Sequence, residues 1–246
     1  DNDDDDDGDD GDDGDAERER AQRRPGGDRA LQDWVQREFG GECPIATDAS
    51  VSFGLLHRLD RGTSGALLWA KDYAGYLDAR LQFVARRVRK EYVCLCSGWA
   101  PATLRFMDGP LLETVPDDGP PRSLIVEAGR GRPALTEALR VEHLLGPEGI
   151  QVSLVHVLLH TGRRHQIRAH MSHEGHPLLG DAVYGGGPGS PAWCPRLCLH
   201  ACNVGIDVGA HLAVAAAPLP DDLRSALHLL RPVAGRSRGA ASSWIR

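Results

Sequence analysis

Residues 150–174 read IQVSLVHVLLHTGRRHQIRAHMSHE. The first eleven are dense in valine, leucine and isoleucine, and a bounded apolar run of that length reads as a buried strand. From Arg163 to Glu174 the period changes. Ile167 and Met171 stand four apart and share one helical face, while Arg164 and His165 fall on the turn next to Arg168. Thr161 is the expected cap between the two elements. The adjoining segments extend the pattern: strands are expected at SLIVEAG (123–129) and TEALRVEHLL (136–145), and EYVCLCSGW (91–99) reads as another. Further out lie strand-like GALLWAK (65–71), LHACNVGI (199–206) and HLAVAAA (211–217). Helices are expected over 30–39, closed by Gly40-Gly41, over 73–88, and in PLPDDLRSALHLL (218–230), which starts on prolines. Residues 100–122, rich in proline and glycine, read as one long connection. Strands outnumber helices and short turns join several of them, which predicts an α+β fold: a mixed, mainly antiparallel sheet with helices packed on it.

Composition narrows the function. The chain has 246 residues and a formal net charge of -7, but its first fifteen residues, DNDDDDDGDDGDDGD, hold eleven aspartates. Without that block the charge would be +4, which permits a nucleic-acid partner. Residues 1–29 are expected to be a disordered acidic segment and linker, 30–232 a catalytic domain, and 233–246 a polar tail. No run is apolar enough to span a membrane, and the acidic start is unlike a signal or transit peptide, so the expectation is a soluble, intracellular protein. No Walker or dinucleotide glycine loop is present, which argues against nucleotide-dependent chemistry. The six cysteines do not form a disulfide framework for a chain of this size; Cys94 and Cys96 read as packed thiols. Neither Cys194, Cys198, Cys202 and His200 nor His165, His170, His173 and His176 has zinc-ligand spacing, so no metal is expected.

Three segments concentrate reactive groups. His57-Arg58-Leu59-Asp60-Arg61-Gly62-Thr63-Ser64-Gly65 sets a carboxylate between two arginines in a glycine-bearing turn, and neighbouring cations favour the charged form of a carboxylate. Such a group can serve as base or nucleophile, although an isolated Arg-Leu-Asp is more often a surface ion pair. Thr161–His170 brings Arg163, Arg164, His165 and Arg168 to the start of a helix, a place suited to phosphate, or simply a solvated basic face. Arg86–Tyr92 ends a basic cluster, including Lys90, on a strand tyrosine; this suits RNA backbone and base stacking, and equally a core tyrosine beneath surface arginines.

Together these segments resemble the RluA-like pseudouridine synthase family. HRLDRGTSGALLWAK (57–71) is similar to its catalytic motif, KEYVCLCSG (90–98) to its tyrosine strand, and TGRRHQIRAHMSHEGHPLLGDAVYGG (161–186) to its longest signature. RPALTEALRV (132–141), LCLHACNV (197–204) and APLPDDL (217–223) follow in family order. The resemblance implies the pseudouridine synthase catalytic fold and isomerisation of uridine to pseudouridine in rRNA or tRNA, with no cofactor and a monomeric enzyme. It implies Asp60 as the catalytic aspartate, Tyr92 as the active-site tyrosine, Arg168 as the arginine paired with Asp60, and Arg58 as the residue that fills the stack when the target base leaves it. His57, Arg61, Thr63, Lys90, Arg163, Arg164 and His165 are the other expected RNA contacts. The alternative is a non-catalytic RNA-binding or RNA-chaperone protein on the same fold. One departure stands out: the family usually carries a lysine-proline-x-glycine strand pair before the aspartate motif, and residues 1–52 hold nothing similar, so the sheet is expected to lack those front strands.

Overall fold

A computed structural model describes residues 31–117, 119–185, 191–209 and 211–233. The expected acidic segment and linker, and all but the first residue of the expected polar tail, lie outside the described residues. What is described divides into two compact units.

One unit comprises residues 31–56 together with Trp69–Ala85. Helix α1 (Leu31–Phe39) turns Val35 inward, and short 3-10 turns at Pro44–Thr47 and Ala49–Gly54 follow it. Val35, Ala46 and Phe53 form its core, with Phe39 stacked on Trp69 at 4.5 Å. Helix α2 (Tyr73–Val84) is capped by the Asp72 carboxylate, which accepts from the Gly75 amide. It stops four residues earlier than its sequence pattern predicts, and Arg86 then takes a left-handed backbone (φ 54°) that ends the helical run.

The second unit, His57–Leu68 and the described residues from Arg86 to 233, holds the sheet. Its strands are β1 (Ser64–Gly65), β2 (Arg89–Ser97), β3 (Phe106–Met107), β4 (Leu111–Thr114), β5 (Arg122–Ile125), β6 (Thr136–Leu145), β7 (Gln151–Leu159), β8 (Leu199–Val208), β9 (His211–Ala216) and β10 (Arg231–Pro232). Helix α3 (Gln166–His173) follows β7, and α4 (Asp221–His228) follows β9. Among the described residues, eight strands form one sheet with the path β1-β8-β2-β7-β6-β10, β9 adding to β8 and β3 to β6. Only β1 runs parallel to its neighbour; β4 and β5 form a separate antiparallel pair. This is the expected mixed, mainly antiparallel α+β fold. No strand precedes Ser64 among the described residues.

The middle strands are covered on both sides, and their period of two sorts the side chains. Tyr92, Cys94 and Cys96 join Val155, Val157 and Leu159 beneath Ile167 and Met171 of α3. Val93 and Leu95 join Val152, Leu154 and Leu144 beneath Leu223 and Leu227 of α4. A sheet buried on two faces explains why β2 is buried for six residues in a row, five of them, Tyr92 to Cys96, apolar.

Three expectations need correction, and the reading of the cysteines needs one addition. GALLWAK is not a strand: only Ser64–Gly65 pairs with β8 and Ala66 still donates to the Ala201 carbonyl, whereas Trp69 bridges Leu55 instead. The connection 100–122 contains β3 and β4, short pieces without a sequence period to mark them. Thr161 does not cap α3. Its hydroxyl accepts from the Leu135 amide and donates to Gln166 Oε1, so it is already used, and the cap position falls to His165 in a left-handed conformation. Finally, Cys194 and Cys198 are joined by a disulfide, a local staple over one turn of loop rather than a framework. Cys94, Cys96 and Cys202 are buried free thiols.

Candidate active site

The loop from His57 to Gly65 is closed by its own backbone and by β8. Thr63 donates its amide to the Asp60 carbonyl at 2.9 Å, and His57 Nε2 accepts from the Leu68 amide at 3.0 Å. At the far end Gly65 (φ 127°) lies so near β8 that a Cβ would meet the Ala201 carbonyl oxygen at 2.2 Å; only glycine fits that approach. Ser64 adds a 2.9 Å bond to His200 Nδ1, and Arg196 donates to the same hydroxyl at 2.6 Å. Asp60 is thus carried on a pinned turn, its side chain 22% exposed. Arg58 and Arg61 flank it at the surface, while the buried Thr63 hydroxyl has no hydrogen-bond partner among the described residues.

Arg168 projects from α3 to within 3.7 Å of the Asp60 carboxylate. That pairing was expected, yet the tight partner is another residue. Arg168 Nε and an Nη donate to the two oxygens of Asp181 at 2.7 and 2.8 Å, a bidentate bond between buried groups. Asp181 also accepts from the amides of Val183 and Tyr184. Burial pushes the Asp181 carboxyl up, but Arg168 and the two amides outweigh it and hold it below its ordinary value. Burial likewise works against the Arg168 charge, which Asp181 and then Asp60 restore and raise. Tyr184 packs under the guanidinium at 5.1 Å and shares its hydroxyl with Ser123. Sequence reasoning missed Asp181 and Tyr184 as site residues. Their signal was the polar pair in LLGDAVYGG, inside a loop whose direction no periodicity reveals.

Tyr92 of β2 is 8% exposed and lies within electrostatic reach of Asp60. Burial, then the negative charge of Asp60, pushes its phenol well above the ordinary range, so it stays protonated. His165 reaches the Tyr184 hydroxyl through Nδ1 at 3.3 Å; burial lowers its pKa despite the pull of Asp60, which keeps the ring neutral. Arg164 pairs with Glu113 at 3.1 Å, and its carbonyl accepts from Ser123, tying the start of α3 to the β4–β5 pair.

A second group gathers beside the loop. Lys90 is half-buried, and burial, then the charge of Arg163, lowers its pKa to about 8. His57 is brought down to about 4 by burial, then by Lys90. Arg163 donates to the Pro133 carbonyl. Of the four histidines weighed as metal ligands, His170 bonds Thr136 and the Gly109 carbonyl, and His176 bonds the Ser97 carbonyl. None of the four joins a metal-ligand cluster among the described residues.

A carboxylate on a pinned turn, a buried arginine to aim it, a protonated phenol beside it and a basic margin define a site for an anionic ligand worked on by an acid group. The family model described as RNA pseudouridylate synthase matches residues 33–173, and the chain belongs to that family. An uncharacterized RNA pseudouridine synthase of Chloroflexus aurantiacus is 37% identical over 189 residues, covering 76% of this chain and 56% of that protein. The ribosomal large subunit pseudouridine synthase D of Nitrosomonas europaea is 31% identical over 186 residues, covering 72% and 51%. Among solved structures, human RNA pseudouridylate synthase domain containing 1 superposes with a TM-score of 0.67 at 28% identity, over 88% of this chain and 83% of that one. The chain spans about half the length of the curated relatives it matches.

Proposed function

We propose that this chain isomerises uridine to pseudouridine in RNA, the activity residing in a catalytic domain over residues 30–232. The observation that carries the reading is the meeting of Asp60, Arg168 and Tyr92, with Arg168 3.7 Å from the Asp60 carboxylate. The reaction breaks the bond from ribose C1′ to uracil N1, turns the detached base, joins C1′ to C5 and releases the C5 proton. Asp60 serves it either by attacking C1′ or by taking the C2′ proton to give a glycal. Arg168, itself locked by Asp181, aims Asp60 and balances its charge. Tyr92, protonated, offers a ring beside the base and a hydroxyl that donates. No electrons are exchanged, so the chemistry calls for no redox or nucleotide cofactor.

A base inside a helix must leave its stack, at a cost of a few kcal/mol. Arg58, exposed on the catalytic turn, is assigned to fill the vacated place. Arg61, Thr63, Lys90, Arg163 and Arg164 are assigned to the RNA chain, and His57 and His165, being neutral, to hydrogen bonds rather than charge. No helix among the described residues is long and apolar enough to cross a membrane; we assign the protein to the cell interior as a monomer. The relatives named for the large ribosomal subunit favour rRNA over tRNA as its substrate.

The test is a pseudouridine assay on bulk cellular RNA with the intact chain and its Asp60→Asn variant. Product with the intact chain alone is expected, with RNA affinity of the variant within a few fold. Turnover unchanged in the variant removes Asp60 from the reaction. RNA bound by both with product from neither favours the non-catalytic RNA-binding or chaperone reading.

A further inference from the structure

Behind the catalytic strand, on the sheet face opposite Tyr92, three different donor groups converge from three adjacent strands. Glu91 on β2, His156 on β7 and Cys202 on β8 place one carboxylate oxygen, one ring nitrogen and one sulfur within 4.8 Å of one another. His156 Nε2 stands 2.9 Å from Glu91 Oε2 and 4.0 Å from Cys202 Sγ. Zinc bonds of about 2.0–2.3 Å set tetrahedral donors roughly 3.3–3.8 Å apart, so small side-chain shifts bring these atoms into place. We propose that Glu91, His156 and Cys202 form a binding site for a thiophilic divalent cation of the zinc type.

The surroundings suit a closed, strand-borne site. Cys202 is 2% and Glu91 7% exposed, and the His156 side chain is 18% exposed. Asn203 Nδ2 donates to Glu91 Oε2 at 3.1 Å and Arg89 holds Oε1, so the carboxylate is oriented by a supporting shell of the kind metal ligands carry. Cys202 Sγ already leans on the Glu91 carbonyl at 3.3 Å. Arg140, whose charge opposes a cation beside His156, is met by Glu142 at 2.6 Å. Coordination replaces the Cys202 thiol proton, which leaves to solvent, and a carboxylate plus a thiolate neutralise the dication.

The position gives the cation a structural task. The β2–β8 pairing slips register between Glu91 and Tyr92, and Cys202 follows Ala201, the residue that receives Gly65 and Ala66. A cation joining β2, β7 and β8 there clamps the irregular pairing that carries both Tyr92 and the end of the Asp60 turn. It touches no reacting atom.

Cobalt(II), a zinc substitute with a thiolate-to-metal absorption band, is the probe. The full chain is titrated anaerobically, without reductant so that the Cys194–Cys198 disulfide persists. The expected result is an intense near-ultraviolet band that saturates at one equivalent and disappears on adding zinc. It should be absent in Cys202→Ser and intact in Cys43→Ser, while His156→Gln binds cobalt at least tenfold more weakly. Carboxylates of the aspartate-rich start give no such band. No band in the intact chain, or one that survives Cys202→Ser, overturns the proposal. Should Cys202→Ser fail to fold, unchanged cobalt affinity in His156→Gln overturns it equally.

Discussion

Arg168 is the residue on which the candidate site turns, and its two carboxylate partners are unequal. Asp181 is buried and bidentate, whereas Asp60 is 3.7 Å away and partly exposed. The first bond fixes the guanidinium, and the second is the looser contact. Asp181→Asn breaks the buried bidentate pair and leaves Arg168 facing the more distant, partly exposed Asp60, a change that costs up to about 3–5 kcal/mol. Urea unfolding should show that loss, and pseudouridine formation should fall even where the variant is fully folded. A folded variant with full turnover would mean that Arg168 needs no such anchor. Lys90 makes a second prediction. Its pKa, lowered to about 8 by burial and Arg163, lies below the ordinary lysine value of about 10.4. In free protein the ammonium is therefore lost as pH rises through about 8, and binding a phosphate beyond that pH requires taking the proton back. RNA affinity should weaken between pH 7.5 and 9.5 more steeply for the intact chain than for Lys90→Arg, whose charge does not titrate. Both are measured on the same RNA, so titration of the nucleotides cancels; identical slopes would take Lys90 out of the contact.

At the scale of elements, the Asp60 turn is held at both ends, and the His57 end senses acid. His57 Nε2 accepts from Leu68, which requires a neutral ring, and its pKa stands near 4 against about 6.5 in an unfolded chain. A base whose folded pKa is depressed contributes its full stability above about pH 6.5 and loses it as pH falls towards 4, because the unfolded state binds the proton first. The intact chain should therefore weaken between pH 6.5 and 4.5 by more than His57→Gln, which keeps an acceptor but does not titrate. Unfolding curves at a series of pH values decide it; parallel losses would mean that the ring does not carry the turn. Elements also mark how far sequence reading reached. Strand β6 was read residue for residue, and β2 and β7 to within two, because a buried strand writes its period into consecutive side chains. GALLWAK has the same composition and is no strand beyond Gly65, since pairing depends on which backbone lies alongside. Thr161 had the chemistry of a cap, but Gln166, five residues on, claims its hydroxyl. Asp60, Tyr92 and Arg168 were singled out as candidates by motifs; Asp181 sits in a loop, where neither period nor charge says what a side chain faces.

Across the whole molecule the charge is lopsided. The net value of -7 becomes +4 once the first fifteen residues are set aside, so an aspartate block and a basic remainder share one chain. Arg58 and Arg61 flank the Asp60 turn, with Lys90 and Arg163 forming the second basic group. RNA approaching that margin is attracted by the local cations and repelled by the block, and both forces act over about a Debye length, roughly 8 Å at physiological salt. Removing residues 1–15 takes away eleven negative charges and none of the candidate site residues. The shortened chain should keep its turnover number at saturating RNA, because Asp60, Arg168 and Tyr92 are untouched. At low salt it should bind RNA faster and more tightly. The advantage should shrink steadily as salt is added and vanish at high ionic strength, the behaviour of long-range repulsion rather than of a lost contact. Stopped-flow association and single-turnover kinetics at several salt concentrations separate the two quantities. A salt-independent difference in affinity would point to direct contact between the block and the basic margin. A fall in the saturating rate would show that the first fifteen residues take part in building the site.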